Sequence, residues 1–212
     1  STASGSRTVT ADGTGHWRYA LVPADTESGG FLQDGANTLT ATATDAAGNV
    51  SAASQAHTII LDTVAPSAPT VVLSNDTGSS SSDKITSNTT LSVTGTEIGS
   101  TIEYSTNGSS DWSTSAPTST EGSNTVYVRQ TDSAGNVGAS TPFTYRYDTT
   151  APVAPTIDTV ASDDIINAQE TGATLTGTAE AGATVTVSTA SGSRTVTADG
   201  TGHWRYALVP AD

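Results

Sequence analysis

Short runs in which apolar and polar residues alternate dominate the chain. Thr and Val supply most of these runs, and clusters of Gly, Asn, Asp and Ser separate them, which is typical of β-strands joined by turns. No window of ten or more residues has apolar positions spaced by three and four, so almost no helix is expected. The predicted strands are residues 37–44, 57–61, 70–73, 90–94, 101–105, 111–115, 124–131 and 142–147.

Residues 7–22 contain two alternating runs about a turn at residues 11–15, which predicts a β-hairpin. In the second run Trp17, Tyr19 and Leu21 share one face, because successive side chains of a strand point to opposite sides. Only 5% of the residues are aromatic, so we expect Trp17 to be used in the core. An exposed Trp17 that binds a ligand is the alternative.

The sequence of residues 1–25 returns without a change as residues 188–212, at an offset of 187 residues. Identity over this length at a long period indicates a slice of a tandem array. Two related turns, DAAGNV at 45–50 and DSAGNV at 132–137, start 87 residues apart and leave 100 residues of the period for a second unit. We therefore expect two lengths of one repeating fold.

About seven short strands in 87 to 100 residues, with frequent turns, predict an immunoglobulin-like antiparallel β-sandwich. Because the chain has no Cys, these sandwiches are disulfide-free, and the predicted class is all-β with tandem Ig-like domains arranged head to tail. Two prolines in each of the stretches 62–69 and 148–155 predict stiff, extended connections. The predicted domains are the C-terminal part of a ~100-residue repeat at 1–64, a complete domain at 65–148, and a linker with the N-terminal part of the next repeat at 149–212.

Several motifs resemble those of bacterial Ig-like tandem repeats in giant secreted surface and biofilm adhesins of the calcium-dependent and RTX types. The motifs are TDAAGNVS and TDSAGNVG, the linkers DTVAPSAP and DTTAPVAP, and the stretches NDTGSSSSDKIT and ASDDIINAQE. The resemblance implies that the protein is extracellular and lies at the bacterial cell surface. It also implies that calcium ions at domain junctions stiffen the array, which acts as an extender for a distal binding domain.

The charge of the chain limits the kinds of molecule that it can bind. Seven Lys and Arg face 21 Asp and Glu, for a formal net charge of −14, which repels nucleic acid and anionic membranes and favours cations. The chain has no Cys and no Met, so thiolate metal sites and thiol nucleophiles are excluded. No catalytic constellation and no organic cofactor site is predicted, and the chain is not expected to be an enzyme.

Asp and Asn residues gather at the predicted turns and linkers. Ca²⁺ takes six to eight oxygen ligands in flexible geometry, so calcium is expected at one or more of the junctions. The alternative is that the DxAGN motif is only a turn, in which Asp accepts backbone N–H groups. The candidate ligands are Asp45, Asn49, Asp62, Asp76 and Asp83 around the first junction, and Asp132, Asn136, Asp148, Asp163 and Asp164 around the second.

The sequence favours a structural extender whose partners are the neighbouring repeats of the same chain. A different class of function, repeated weak binding of a glycan or of like molecules, would use aromatic residues such as Tyr104, Trp112 or Tyr127. The incomplete terminal repeats carry a separate expectation. Each is expected to lack part of its sandwich, so that it either stays disordered when alone or is completed by head-to-tail contacts between molecules.

Overall fold

The computed structural model describes residues 5–167, 170 and 172–208, and within them the fold is almost entirely β, as predicted. The chain forms two compact units, Ser1–Asp148 and Thr149–Asp212. The described elements are α1 (Pro23–Thr26), β1 (Gly35–Leu39), β2 (His57–Leu61), β3 (Thr70–Leu73), β4 (Ile85–Thr86), β5 (Leu91–Thr94), β6 (Thr101–Ser105), β7 (Gly122–Thr131), β8 (Thr141–Tyr147), β9 (Thr174–Thr178), β10 (Thr184–Thr189), β11 (Gly192–Thr197) and β12 (His203–Ala207).

Strands β3 to β8 form a two-layer sandwich, which we call the middle domain. One layer is the antiparallel pair β3–β5, and the other has the order β4-β8-β7-β6, in which only β4 and β8 are parallel. The core lies between the layers, and its buried members come from β3, β7 and β8: Val71, Val126, Val128, Phe143 and Tyr145.

Strand β7 supplies the centre of this core because its residues alternate between the two faces. Val126 and Val128 are almost fully buried and point inward with Gln130, as the period of two in a strand requires. The ring of Phe143 stacks on that of Tyr145 with centroids 5.8 Å apart. These contacts place the long β7–β8 hairpin at the middle of the domain.

The structure departs from the predicted strands of the middle domain at two places. The short strand β4 was not predicted, and it forms through parallel pairing with Arg146 and Tyr147 of β8. The strand predicted at residues 111–115 is wrong, since this region makes only an isolated bridge between Ser113 and Tyr104. Asp111 has a φ of 55°, which a regular strand does not permit.

Residues 35–61 form a hairpin in which β1 pairs with β2. The prediction of a strand over 37–44 is correct only as far as Leu39. Beyond it, the hydroxyl groups of Ser51 and Ser54 accept hydrogen bonds from the backbone N–H groups of Ala43 and Ala41. These side chains replace ladder carbonyls, and the two alanines are exposed.

The hairpin predicted over residues 7–22 is wrong. The turn is present, with the N–H of Gly15 bonded to the carbonyl of Asp12, but residues 5–22 contain no strand. Trp17 is 60% exposed, so the expectation of a core residue fails here.

Asp25 anchors the chain around these residues. Its side chain is fully buried and accepts hydrogen bonds from Arg7 (2.8 Å), Tyr19 (2.7 Å) and the N–H of Val22 (3.0 Å). The Val22 bond is the main reason why the pKa of Asp25 lies below its usual value. A carboxylate with this many donors stays ionised while buried, so it fixes the chain that leads into α1.

In the second unit, β9 pairs with β12 and β10 pairs with β11. Consecutive strands β11 and β12 are joined by a turn in which the N–H of Asp199 bonds to the carbonyl of His203, yet they belong to different pairs. The chain thus crosses from one pair of strands to the other. The small core consists of Val185, Ala198 and Trp204. Trp204, which is buried here, is the repeat equivalent of Trp17, which is exposed.

Candidate functional site

The predicted calcium ligands do not meet in the sets expected from sequence, because the long hairpins separate them. Asp132 follows β7 at the turn, whereas Asp148 follows β8, whose last residue Tyr147 pairs with Gly122 at the other end of the hairpin. The ten residues of β7 span about 30 Å. Asp45 and Asp62 are separated in the same way by the hairpin of β1 and β2.

The turn at Asp132 is closed by its own side chains. One carboxylate oxygen of Asp132 accepts hydrogen bonds from the N–H groups of Ala134 (2.9 Å) and Asn136 (2.8 Å), and the other accepts one from the side-chain amide of Asn136 (2.8 Å). The Asn136 side chain is the largest cause that lowers the pKa of Asp132 from its usual value of 3.8. The carboxylate is therefore satisfied without an ion.

The turn at Asp45 repeats this geometry. Its carboxylate accepts hydrogen bonds from the N–H groups of Ala47 and Asn49 and from the Asn49 side chain, at 2.8 to 2.9 Å. The same cause, first of all the Asn49 side chain, lowers the pKa of Asp45. The same side-chain contacts thus close both copies of the DxAGN turn.

Asn136 has one further contact that brings two predicted residues together. Its side-chain amide donates to the backbone carbonyl of Asp62 at 3.1 Å, in addition to its bond with Asp132. Asp62 begins the Pro-containing segment 62–69, which we call the linker. The amide of Asn136 thus ties the start of the linker to the turn that follows β7.

Gln130 holds the middle of the linker from within the core. Its side chain is 0% exposed, and its amide nitrogen donates to the carbonyl of Ser67 at 2.7 Å. Its amide oxygen accepts hydrogen bonds from the N–H of Glu97 (2.9 Å) and the hydroxyl of Ser100 (2.8 Å). Through these hydrogen bonds the amide joins the linker to the connection between β5 and β6.

Two more contacts fasten the rest of the linker. Both Pro66 and Pro69 are buried, and the hydroxyl of Thr141 donates to the carbonyl of Pro69. A Cβ at Gly138 would overlap the carbonyl oxygen of Pro66, so glycine is the residue that allows this close approach. The linker therefore lies along the end of the middle domain and is bound at four points.

The acidic residues of the segment before β4 lie at the opposite end of the middle domain from the linker. Asp76 accepts a hydrogen bond from the N–H of Lys84 (2.8 Å), and Asp83 accepts one from the N–H of Ile85 (3.0 Å). The N–H of Asp148 donates to the carbonyl of Thr86 at 3.0 Å. Three predicted ligands, Asp76, Asp83 and Asp148, thus belong to one end of one domain.

Among these acids, Asp76 has the carboxylate oxygen that is best suited to bind a cation. Its Oδ1 is buried and accepts no hydrogen bond from the described residues, which is costly for a carboxylate oxygen. Among the described residues, however, no three or more Asp, Glu, His or Cys side chains are close enough to hold a metal together. The oxygen chemistry at this end fits Ca²⁺, but its carboxylates are not gathered around one point.

In the second unit, Asp163 and Asp164 occupy a segment built like the one at Asp83. The carboxylates of Asp163 and Asp83 each accept the N–H two residues ahead, and the intervening Asp164 and Lys84 both have a φ of 62°. Asp164 also accepts a hydrogen bond from the N–H of Val160 at 2.8 Å. These acids therefore shape a loop in both units.

The aromatic residues considered for ligand binding are engaged within the middle domain. The guanidinium of Arg129 lies 4.0 Å from the ring centroid of Trp112, and Tyr104 packs against the core. The ring of Tyr127 lies against Gly108, where a Cβ would come within 2.6 Å of it. All three side chains are partly buried.

Comparison with known proteins identifies the kind of domain. Residues 63–149, which include the linker and β3 to β8, match the family model of the bacterial Ig-like domain. With the sandwich and the absence of Cys, this match confirms the predicted fold class, all-β with a disulfide-free Ig-like domain; the tandem arrangement stays a prediction. A search of curated proteins finds no match.

The family match indicates a broad class of function. Bacterial Ig-like domains are typically non-enzymatic and suggest a module of a surface protein. Within the described residues, no helix combines the length and apolar character that crossing a bilayer requires.

Sequence reasoning missed Gln130, Gly138 and Thr141. A signal for Gln130 was present, because the alternation of β7 places it on the same face as Val126 and Val128. A polar side chain at a core-facing position needs hydrogen-bond partners. The sequence could not show that one of them is the carbonyl of Ser67, which lies 63 residues away along the chain.

Replacing Gln130 by Leu should destabilise the middle domain by about 2–3 kcal/mol, because it removes the hydrogen bonds of the buried amide to Ser67, Glu97 and Ser100, each of which contributes about 1 kcal/mol. Chemical denaturation of the whole chain followed by circular dichroism measures the change. The matched control is Gln55→Leu at an exposed position, where the expected effect is within about 0.5 kcal/mol. Equal effects of the two substitutions would contradict the role of the buried amide.

Replacing Asn136 by Ala should raise the pKa of Asp132 towards its ordinary value, because the largest cause of its depression is removed. A depressed carboxylate pKa gives stability that is complete above the unfolded-state pKa and is lost as the pH falls through the folded-state pKa. The variant should therefore be less stable than the unaltered chain at neutral pH, and this carboxylate should contribute a smaller loss of stability as the pH falls below its unfolded-state pKa. NMR titration of the Asp carboxyl carbons measures the pKa shift.

Asn49→Ala is the matched control, since Asn49 makes the same bonds to Asp45. Both variants should relieve the pKa shift in their own turn, but only Asn136→Ala should expose the linker to proteolysis. Equal protection of the linker in the two variants would show that the bond from Asn136 to Asp62 does not restrain it.

Proposed function

We propose that the chain is a structural spacer of a bacterial cell-surface protein, in which Ig-like domains follow one another and project a distal binding domain for adhesion or biofilm formation. The observation that carries the proposal is the linker bound along the end of the middle domain by Asn136, Gln130, Gly138 and Thr141. A spacer requires that the connection between domains resist bending, and this linker has lost most of its freedom.

The contacts explain how a short polar segment becomes stiff. Proline limits φ at two linker positions, but the backbone between them would still rotate if it were solvated. Hydrogen bonds to the carbonyls of Asp62, Ser67 and Pro69 fix successive points of that backbone. Burial of both prolines adds apolar contact, so bending the linker would break several interactions together.

The environment of the aromatic residues favours the spacer over repeated ligand binding. Trp112 is covered by Arg129, and Tyr104 and Tyr127 are packed within the domain. The verbatim repetition of 25 residues also suits a structural unit, because a spacer gains length from each identical copy. The proposed place is outside the cell, as is common for domains of this family.

A calcium ion is a second, separable part of the proposal. We place it at the end of the middle domain that carries Asp76, Asp83 and Asp148, where the unbonded Oδ1 of Asp76 is the starting ligand. Bound there, calcium would neutralise carboxylates and join the segment before β4 to the end of β8. Asp163 and Asp164 are the corresponding acids of the second unit. The turns of Asp45 and Asp132 are closed by Asn49 and Asn136 instead.

Replacing Gly138 by Ala should detach the linker, because the added methyl group would overlap the carbonyl oxygen of Pro66. Limited proteolysis should then cleave within residues 62–69, and small-angle scattering should show a broader distance distribution than for the unaltered chain. Gly13→Ala is the control, since a Cβ at Gly13 has no neighbour within 4 Å. An unchanged distribution and an uncleaved linker in Gly138→Ala would overturn the proposed stiffening mechanism.

Calcium at millimolar concentration should raise the thermal unfolding midpoint, because extracellular calcium modules bind at roughly 10⁻⁴ to 10⁻³ M. Asp76→Asn should abolish this rise, and Asp45→Asn should leave it intact although it weakens its own turn. Calorimetric titration with CaCl₂ measures binding directly. If calcium has no effect on the unaltered chain, the ion is removed from the proposal and the linker contacts alone account for stiffness.

A further inference from the structure

The chain enters the middle domain at one end and leaves it at the other. The carbonyl of Pro69, the last residue of the linker, accepts a hydrogen bond from the hydroxyl of Thr141 at the start of β8. Strand β8 then runs to Tyr147, which pairs with Gly122 at the other end of the β7–β8 hairpin. The seven residues of β8 span roughly 20 Å, and this length separates the point of entry from the point of exit.

The first part of the domain is bonded to its last strand at both ends of that strand. At the exit, the N–H of Arg146 donates to the carbonyl of Lys84 (2.8 Å), and the N–H of Asp148 donates to the carbonyl of Thr86 (3.0 Å). These two bonds belong to the parallel pairing of β4 with β8. Together with the bond from Thr141 at the entry, we call them the crossing bonds.

Tension along the chain would act on the crossing bonds in a particular direction. A pull on the linker draws the first part of the domain towards the entry, and a pull on Asp148 draws β8 towards the exit. The two parts would therefore slide past each other along the axis of β8. The same pull slides β8 against β7, its other neighbour in the sheet.

Sliding is the direction in which paired strands resist force best. Hydrogen bonds between strands lie across the strand axes, so sliding stretches all of them at once and they must break nearly together. When strands are peeled apart from one end, the bonds break one after another and each carries the force alone. The positions of entry and exit in this domain therefore select the stronger of the two modes.

We propose that the middle domain resists tension along the chain through its crossing bonds, a role that rests on the proposed spacer function only for the direction of the pull. Tension from the linker also meets the amides of Asn136 and Gln130, which are bonded to the carbonyls of Asp62 and Ser67. Both ends of the domain are thus held before the core between the two layers is disturbed.

Optical-tweezers measurements on the full chain test the proposal, since the chain has no Cys and handles can be attached at engineered ones. Val64→Cys with Ala151→Cys pulls along the chain. Ser123→Cys with Ala151→Cys peels β8 from β7, because Ser123 is opposite Arg146 near the exit. All three attachment sites are exposed. At equal loading rate, the unfolding force should be several times larger along the chain, with a gain in length of roughly 300 Å.

A single hydroxyl group tests the crossing bonds themselves. Thr141→Val keeps the branched shape but removes the bond to Pro69, so unfolding under a pull along the chain should be about fivefold faster, the effect of losing one net hydrogen bond. The peeling force should not change, because peeling begins at the other end of β8. The control is Thr144→Val on the same strand, which removes only the exposed bond to the hydroxyl of Thr125 and should alter neither force.

Equal unfolding forces in the two pulling directions would overturn the proposal. So would a Thr141→Val chain in which both forces fall in the same proportion, because the hydroxyl would then act only through general stability, or one in which neither force falls. The stiffness of the linker is measured separately, by proteolysis and scattering of Gly138→Ala. A failure of the spacer function can therefore be told apart from a failure of the resistance to tension.

Discussion

The middle domain depends on one buried neutral amide. The side chain of Gln130 is fully buried, and both the oxygen and the nitrogen of its amide are hydrogen bonded. These bonds offset the free-energy cost of removing the amide from water. Its partners come from the linker and from the connection between β5 and β6, which are far apart in sequence. An amide in this position therefore sets the sandwich core and the path of the linker at the same time.

Side-chain amides, rather than ion pairs, determine how the chain enters this domain. Asn136 bridges the carboxylate of Asp132 and the carbonyl of Asp62 with one amide group. The acids Asp76, Asp83 and Asp148 lie at the other end. The two ends of an Ig-like domain of this kind are therefore chemically different.

The duplicated segment separates local from tertiary effects within a single molecule. The Asp–Thr–His turn is the same at Asp12 and Asp199 because its bonds span only four residues. The strands differ because Trp204 has the carbonyl of Thr156 and the space at Gly177 beside it, whereas Trp17 is mostly exposed. An alternating sequence is thus permissive for a strand, and pairing decides whether the strand forms.

The amino-acid sequence by itself determined the all-β class, most strands of the middle domain and the DxAGN turns, because alternation and turn chemistry act over a few residues. It also contained the polar, inward-facing Gln130. Only the tertiary structure decided that β11 and β12 join different strand pairs, that Asp45 and Asp62 lie at opposite ends of a hairpin, and that the linker rests on Gln130 and Gly138. These relations depend on which distant strands pair, and strand pairing is decided by burial and by backbone partners that no short stretch of sequence specifies.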